Sequence, residues 1–423
     1  MTAEKTTQVG AWPLWKRAGF RFLFVYILLY WYPFPLGFLP GTHDWSAACQ
    51  KPLYLLAAWV AKHILHVSAE MLAFNGSGDR TYNYVNLLDM VVLSAIAAIA
   101  WTASSHRRTN EVRLYAGLRL MVRYALGLTM VFYGLVKVIK RQFPDLPPDL
   151  LVQTFGETSP MTLLWSFMGY STAYTFFAGA SELLGGALLL FRRTTMLGAL
   201  VSSAVMANVV MLNFSYDVPV KLFASHLLLM GIFLLWPDLP RLANMFLLHR
   251  PSPLRFDRPW MNYVKVGLKV FVIGGFVSSI AFEQWHRYRH DGDGAPKADF
   301  EGIYEIDSFT RNGEAVPPLL TERTRWRWLT RQRTTLVIRP VAGPAQKYRV
   351  ERDEGSKGLT IVTSAKPDSK CVLTYAPAEN GHIVFRANLG EDMIEATAHK
   401  VDESQFLLVN RGFHWINEKP LKN

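Results

Sequence analysis

The 423-residue sequence is half apolar, rich in aromatic residues, and carries a formal net charge of +12. That charge is unevenly placed: residues 291–423 hold 19 Lys and Arg against 19 Asp and Glu, leaving 26 against 14 in residues 1–290. A positive excess confined to the apolar part excludes nucleic acid as the expected partner. It points to a membrane protein with basic inner loops, in contact with membrane lipid, joined to a soluble part.

Taken in order, residues 1–17 read as a polar cytoplasmic tail. Nothing in them reads as a cleaved signal peptide, so the first apolar run, Phe20–Leu39, is expected to stay as a span that breaks at Pro33, Pro35 and Pro40. Leu53–Leu72 has helical period and reads as a re-entrant or interfacial helix on the outer leaflet. Tyr84–Ala103 is the second span, followed by the basic loop holding His106, Arg107, Arg108 and Arg113. Four further spans follow: Leu114–Ile139, Tyr170–Phe191, Met196–Phe214 and Val218–Trp236. Each is long enough to cross ~30 Å of hydrocarbon at ~1.5 Å per residue. A short lead-in helix, Met161–Met168, precedes the fourth. Val264–Phe282 is the seventh span. Arg and Lys collect on alternate loops, which predicts an inner N-terminus and an outer C-terminus.

Beyond a charged linker the pattern changes to short β-type runs about ten residues apart, at 302–309, 325–329, 335–339, 347–351, 359–363, 371–375, 383–387, 393–398 and 405–409. Asn312-Gly313, Glu354-Gly355 and Asn380-Gly381 separate some of them. Eight or nine strands in ~125 residues predict an up-and-down, lipocalin-like barrel, with a sandwich as the alternative. The expected domains are 1–112 (two spans and the outer helix), 113–240 (a four-helix core), 241–297 (connector, seventh span and linker) and 298–423 (an extracytoplasmic barrel). The expected location is the bacterial inner membrane, with the barrel periplasmic. Only Cys49 and Cys371 are present. Both fall on the outer side, where they can form one bridge or stay free.

Polar residues inside the spans are the candidate chemistry, because a charge at mid-bilayer costs roughly 3 kcal/mol and is usually functional. Lys137 either snorkels to the outer face, as Arg123 would to the inner one, or acts as a desolvated base. Glu182 either serves a ligand or proton relay, or pairs structurally with Arg123 or His226. His226, Asn208 and Asn213 either pack by hydrogen bonding or hold a headgroup. Asp89 either pairs with Arg80 or Lys62 or faces the same pocket. His63, His66 and Glu70 share one helix face, better read as a wet interface than as metal ligands. No other metal-ligand spacing is present. Arg325-Trp326-Arg327-Trp328 and Gly412-Phe413-His414-Trp415 read either as a barrel end, with tryptophans inward and an arginine closing it, or as a rim for an apolar ligand or the membrane surface. No Ser-His-Asp order, HExxH, GxGxxG, P-loop or CxxC occurs, so the sequence leaves open whether the protein is an enzyme.

Arg123, Gly127, Gly134 and Lys137, then Glu182-(x2)-Gly185-Gly186-(x3)-Leu190 and Arg192–Gly198, resemble the DoxX/DoxD family of bacterial membrane proteins over about residues 113–238. The resemblance implies a DoxX-like four-helix core, a quinone-linked role and a membrane oxidoreductase partner. The Lys137 helix exit and the Leu235–Arg241 ending are also similar, at a greater distance, to the vitamin K-dependent carboxylase-like (HTTM) membrane domain. There a lysine at the matching exit deprotonates a hydroquinone. Two functions are therefore expected. In one, Lys137 and Glu182 are catalytic, with His226, Asn208, Asn213 and Asp89 binding a quinone headgroup in the outer half of the bundle. In the other, a non-enzymatic anchor carries a barrel that binds an apolar ligand, a lipid or a partner.

Overall fold

The computed structural model describes residues 12–39, 41–67, 78–104, 111–249, 263–297, 300–352, 358–363, 366–390 and 392–411. The chain divides into two units, Met1–Gln142 with Ala173–Trp285, and Phe143–Thr172 with His286–Asn423.

The first unit is helical. α1 (Leu14–Tyr30), α2 (His43–His63), α3 (Thr81–Ser104) and α4 (Glu111–Val138) come before the excursion into the second unit, which holds the short α5 (Pro148–Leu151) and α6 (Pro160–Tyr170). α7 (Thr172–Leu190), α8 (Thr195–Ser215), α9 (Lys221–Leu235), α10 (Leu239–Phe246) and α11 (Tyr263–Asp291) follow. Helices thus stand at all seven predicted span positions. Among the described residues five stretches are long and apolar enough to cross a membrane: Thr81–Ser104, Glu111–Val138, Thr172–Leu190, Arg192–Ser215 and Lys221–Phe246. α1 is a residue or so short of that length. It ends at Tyr30, just before Pro33 and Pro35, as proline sterics require.

The helix expected on the outer leaflet differs from its predicted bounds. α2 begins ten residues before the predicted Leu53, runs through Pro52, and ends at His63. Its start was hidden by polar residues such as Asp44, which suit a first helical turn as well as a loop. His66 has a positive φ of 53° and leaves the helix, so it does not share a helical face with His63. His63 instead stacks on Trp59 and bonds its carbonyl. Glu70 lies outside the described residues.

α4 is the spine of the helical unit. One side packs with α1, α8 and α9 around Leu118, Val122, Leu126, Met130, Leu227 and Leu234. The other meets α7 and α11 around Val131, Leu135, Leu190 and Ile280. Glycine makes the α4–α7 contact close. A Cβ on Gly134 would lie 2.7 Å from the Leu183 nitrogen and 2.8 Å from the Gly179 carbonyl oxygen, and one on Gly186 would lie 2.7 Å from the Gly127 carbonyl oxygen. Two glycines seven residues apart on each helix therefore interleave in antiparallel fashion. Small residues of this kind let membrane helices approach backbone to backbone.

The second unit contains a closed antiparallel barrel. β1 (Gly302–Arg311) carries a two-residue hairpin strand, β2 (Glu314–Ala315), turned by Asn312 and Gly313 at φ of 54° and 86°. β3 (Trp326–Gln332), β4 (Thr335–Pro340), β5 (Gln346–Arg352), β6 (Gly358–Thr363), β7 (Lys366–Pro377), β8 (His382–Leu389) and β9 (Asp392–Val401) each pair with the next, and β1 pairs with both β3 and β9. Eight strands close the ring, which corrects the sandwich alternative. The predicted ninth strand, 405–409, is instead turn and the short helix α12 (Leu407–Asn410). Eight strands leave an interior that side chains can fill. Phe300, Tyr304, Phe309, Trp326, Leu329 and Phe385 fill it here. Trp326 is buried, as the alternation predicts, but Trp328 is only half-buried because the β3–β4 register slips between them. Arg325 is the closing arginine. It is buried and donates to the carbonyls of Val316 and Asp307. Residues 412–415 lie outside the described chain. Cys49 and Cys371 are both free.

Candidate functional site

A buried ion pair within the membrane-type helices joins Lys137 to Glu182. The ammonium donates to both carboxylate oxygens, at 2.8 and 2.9 Å, and both side chains are more than nine-tenths buried. Lys137 sits one residue from the C-terminus of α4, where the helix dipole favours a cation. Glu182 is the eleventh residue of α7, ~15 Å along the axis from its start. The two meet because α7 begins well beyond the level at which α4 ends. Depth along a helix and depth in the bundle therefore differ. Gly179 lets the pair form: a Cβ there would lie 2.7 Å from the Lys137 Cβ.

This arrangement corrects two readings of the sequence. Lys137 does not snorkel; it turns inward. Glu182 pairs with neither Arg123 nor His226. Arg123 is buried, stacks on Tyr124 at 4.9 Å and reaches Thr195 at 3.5 Å.

His226 stands in a second polar group. Its Nδ1–H donates to the Leu222 carbonyl at 2.7 Å, which leaves Nε2 to accept from the Tyr26 hydroxyl at 2.5 Å. Its ring stacks on Tyr30 at 4.1 Å. Tyr133 lies between the two groups: Lys137 Nζ is 5.7 Å from its ring, and that ring is 6.1 Å from Phe223, three residues before His226 on α9. Tyr26, Tyr30 and Tyr133 were not singled out from the sequence. The signal was there in part, since Tyr26 and Tyr30 are four residues apart and share one face of α1.

The other candidates divide. Asn213 is buried, with its Nδ2 lacking a hydrogen-bond partner among the described residues. Asn208 lies on the exposed face of α8. Asp89 is buried in α3, and its Oδ2 has no hydrogen-bond partner among the described residues. Arg80 instead lies over the Tyr82 ring at 5.4 Å. Nothing brings Asn208, Asn213 or Asp89 into contact with Lys137 and Glu182.

Two further carboxylates fix the ends of the helices. Asp79 accepts from the Lys221 and Leu222 backbone N–H groups at 2.7 and 3.0 Å, capping α9 from a remote loop. At the opposite end, Glu111 binds Arg17 and the fully buried Arg21.

No family model matches this sequence, and no solved structure matches it. A curated relative does. Over 124 residues, 29% of this chain, it is 33% identical to the uncharacterized protein YwoB of Bacillus subtilis (strain 168), and the match covers 79% of that protein.

Proposed function

The chain belongs to the family of the Bacillus subtilis protein YwoB, and on that premise we propose that it is a membrane-bound protein whose helical unit binds the polar headgroup of a quinone at Lys137 and Glu182. The observation that carries this reading is the buried ion pair itself. Two charges removed from water cost several kcal/mol each, and replacing such a pair by apolar residues is often neutral or stabilising. Stability alone gives little reason to keep it.

The donor set suits a quinone headgroup. An ammonium and a phenol, Lys137 and Tyr133, can donate to carbonyl oxygens, and the Glu182 carboxylate can hold a proton beside them. His226 with Tyr26 and Tyr30 extends the polar surface toward α1. The resemblance of residues 113–238 to DoxX proteins supports a quinone-linked ligand and a membrane oxidoreductase as partner, and the more distant similarity of the Lys137 exit and the Leu235–Arg241 ending to the HTTM domain supports the same class of ligand. The proposed placement is the bacterial inner membrane, with the N-terminus inside and the barrel in the periplasm, as the Lys and Arg distribution favours.

A second reading has one observation of its own. Both Glu182 oxygens are already satisfied by Lys137, as in a purely structural lock. The protein would then be an anchor presenting its barrel to a lipid or a partner. Titration of the purified protein with a short-chain quinone, followed by tryptophan fluorescence, separates the two. Saturable quenching that Glu182→Gln weakens supports the quinone site. Absence of saturable binding leaves the anchor.

A further inference from the structure

Three neighbouring strands of the barrel place two imidazoles and a carboxylate together on its outer face. His382 on β8 is the register partner of His399 on β9. Asp307 on β1 lies where the β1–β9 register slips between Ile306 and Ser308. Such a bulge re-aims a side chain. Here Asp307 Oδ1 lies 2.8 Å from His399 Nδ1, and its Oδ2 lies 3.4 Å from His382 Nε2. One ligand atom from each residue lies within 4.8 Å of the others.

We propose that Asp307, His382 and His399 form a binding site for a zinc-type divalent cation. Zinc takes imidazole nitrogen and carboxylate oxygen at ~2.0–2.2 Å, so two ligands on a tetrahedral edge stand about 3.3–3.5 Å apart. With one ligand atom from each residue within 4.8 Å of the others, closing onto a tetrahedral ion draws the three side chains together by up to about 1.5 Å, which side-chain rotation supplies. Two imidazoles and one carboxylate leave a fourth position for water or an incoming ligand. The frame is rigid, since all three residues lie in a closed sheet. The bulge is held from beneath by buried Arg325, which donates to the Asp307 carbonyl at 3.1 Å. Support of this kind keeps first ligands in place. Magnesium, which prefers six oxygens, suits the site poorly.

The test uses the full-length protein in detergent, stripped with a chelator and titrated with zinc chloride by calorimetry, with magnesium chloride as the control. The expected result is one saturable zinc site, a rise in thermal midpoint on zinc addition, and no response to magnesium. His382→Ala and His399→Ala should each weaken zinc at least about tenfold. All three side chains are partly exposed, so these variants should fold, and circular dichroism checks that they do. His286 and His290 on α11, with rings 4.1 Å apart, are a competing pair. Zinc binding unchanged in both barrel variants but lost in His286→Ala would overturn the assignment. So would no binding at zinc on the order of 100 µM, a free energy near 5–6 kcal/mol.

Discussion

Removing one partner of the Lys137–Glu182 pair should cost far more than removing both. Lys137→Met deletes two hydrogen bonds of 2.8 and 2.9 Å and leaves a buried carboxylate with no counter-charge. Breaking such a pair from one side typically costs ~3–5 kcal/mol. At ~2–4 °C per kcal/mol for a unit of this size, the thermal midpoint should fall on the order of 10 °C. Glu182→Gln, which keeps the shape and leaves the ammonium stranded, should fall comparably. The double variant Lys137→Met/Glu182→Gln removes both charges and should recover most of the loss. Thermal unfolding in detergent of the wild type, both single variants and the double variant gives the coupling directly. Additive losses, with the double variant at the sum of the singles, would show that the two groups do not interact and would refute the geometry.

Other outcomes follow from neighbouring contacts. Gly134→Ala places a methyl 2.7 Å from the Leu183 nitrogen, so it should destabilise the helical unit by ~1–3 kcal/mol, read by the same melting assay. Asp79→Ala strips two N–H acceptors from the start of α9 and should cost ~1 kcal/mol, more than Asp79→Asn, as thermal melts will show. Burial holds the Tyr304 and Tyr348 hydroxyls above the ordinary phenol range, with Arg331 opposing it at Tyr304. Unfolded phenols titrate near ~10, so the barrel should keep its full stability below that pH and lose it as pH rises further, with tyrosinate absorbance lagging behind that of the denatured chain. At the other extreme, the Arg311 hydrogen bond holds the Asp392 carboxyl below the usual range. Its contribution is present above pH ~4 and is lost as pH falls through the lowered value, which Asp392→Asn should abolish in an acid titration.

Much of the fold was legible because burial in lipid and alternation in a sheet both write themselves into hydrophobic period. Helices stand at the predicted positions, though α1 runs Leu14–Tyr30 rather than Phe20–Leu39 and α11 continues to Asp291 rather than Phe282, and eight strands close the barrel; five of the apolar stretches are long enough to cross a membrane. What stayed hidden depended on relations between elements. Lys137 looked shallow and Glu182 deep until the stagger of α4 and α7 brought them level. The glycine pairs Gly127/Gly134 and Gly179/Gly186 carried a trace of that stagger, in their shared seven-residue spacing. Asn208 and Asn213, five residues apart on one helix, point to different surroundings, because ~100° per residue turns them to different faces. Asp307, His382 and His399 have no recognisable spacing at all. They are neighbours only because the barrel closes between β1 and β9 and a bulge turns Asp307 toward the histidines.

The most direct measurement of the proposed headgroup site is the small-molecule content of protein purified in mild detergent, by solvent extraction and mass spectrometry. The wild type should carry near-stoichiometric isoprenoid quinone, clearly depleted in Glu182→Gln. Wild-type protein free of quinone, or quinone retained equally when Glu182 is replaced, would contradict it.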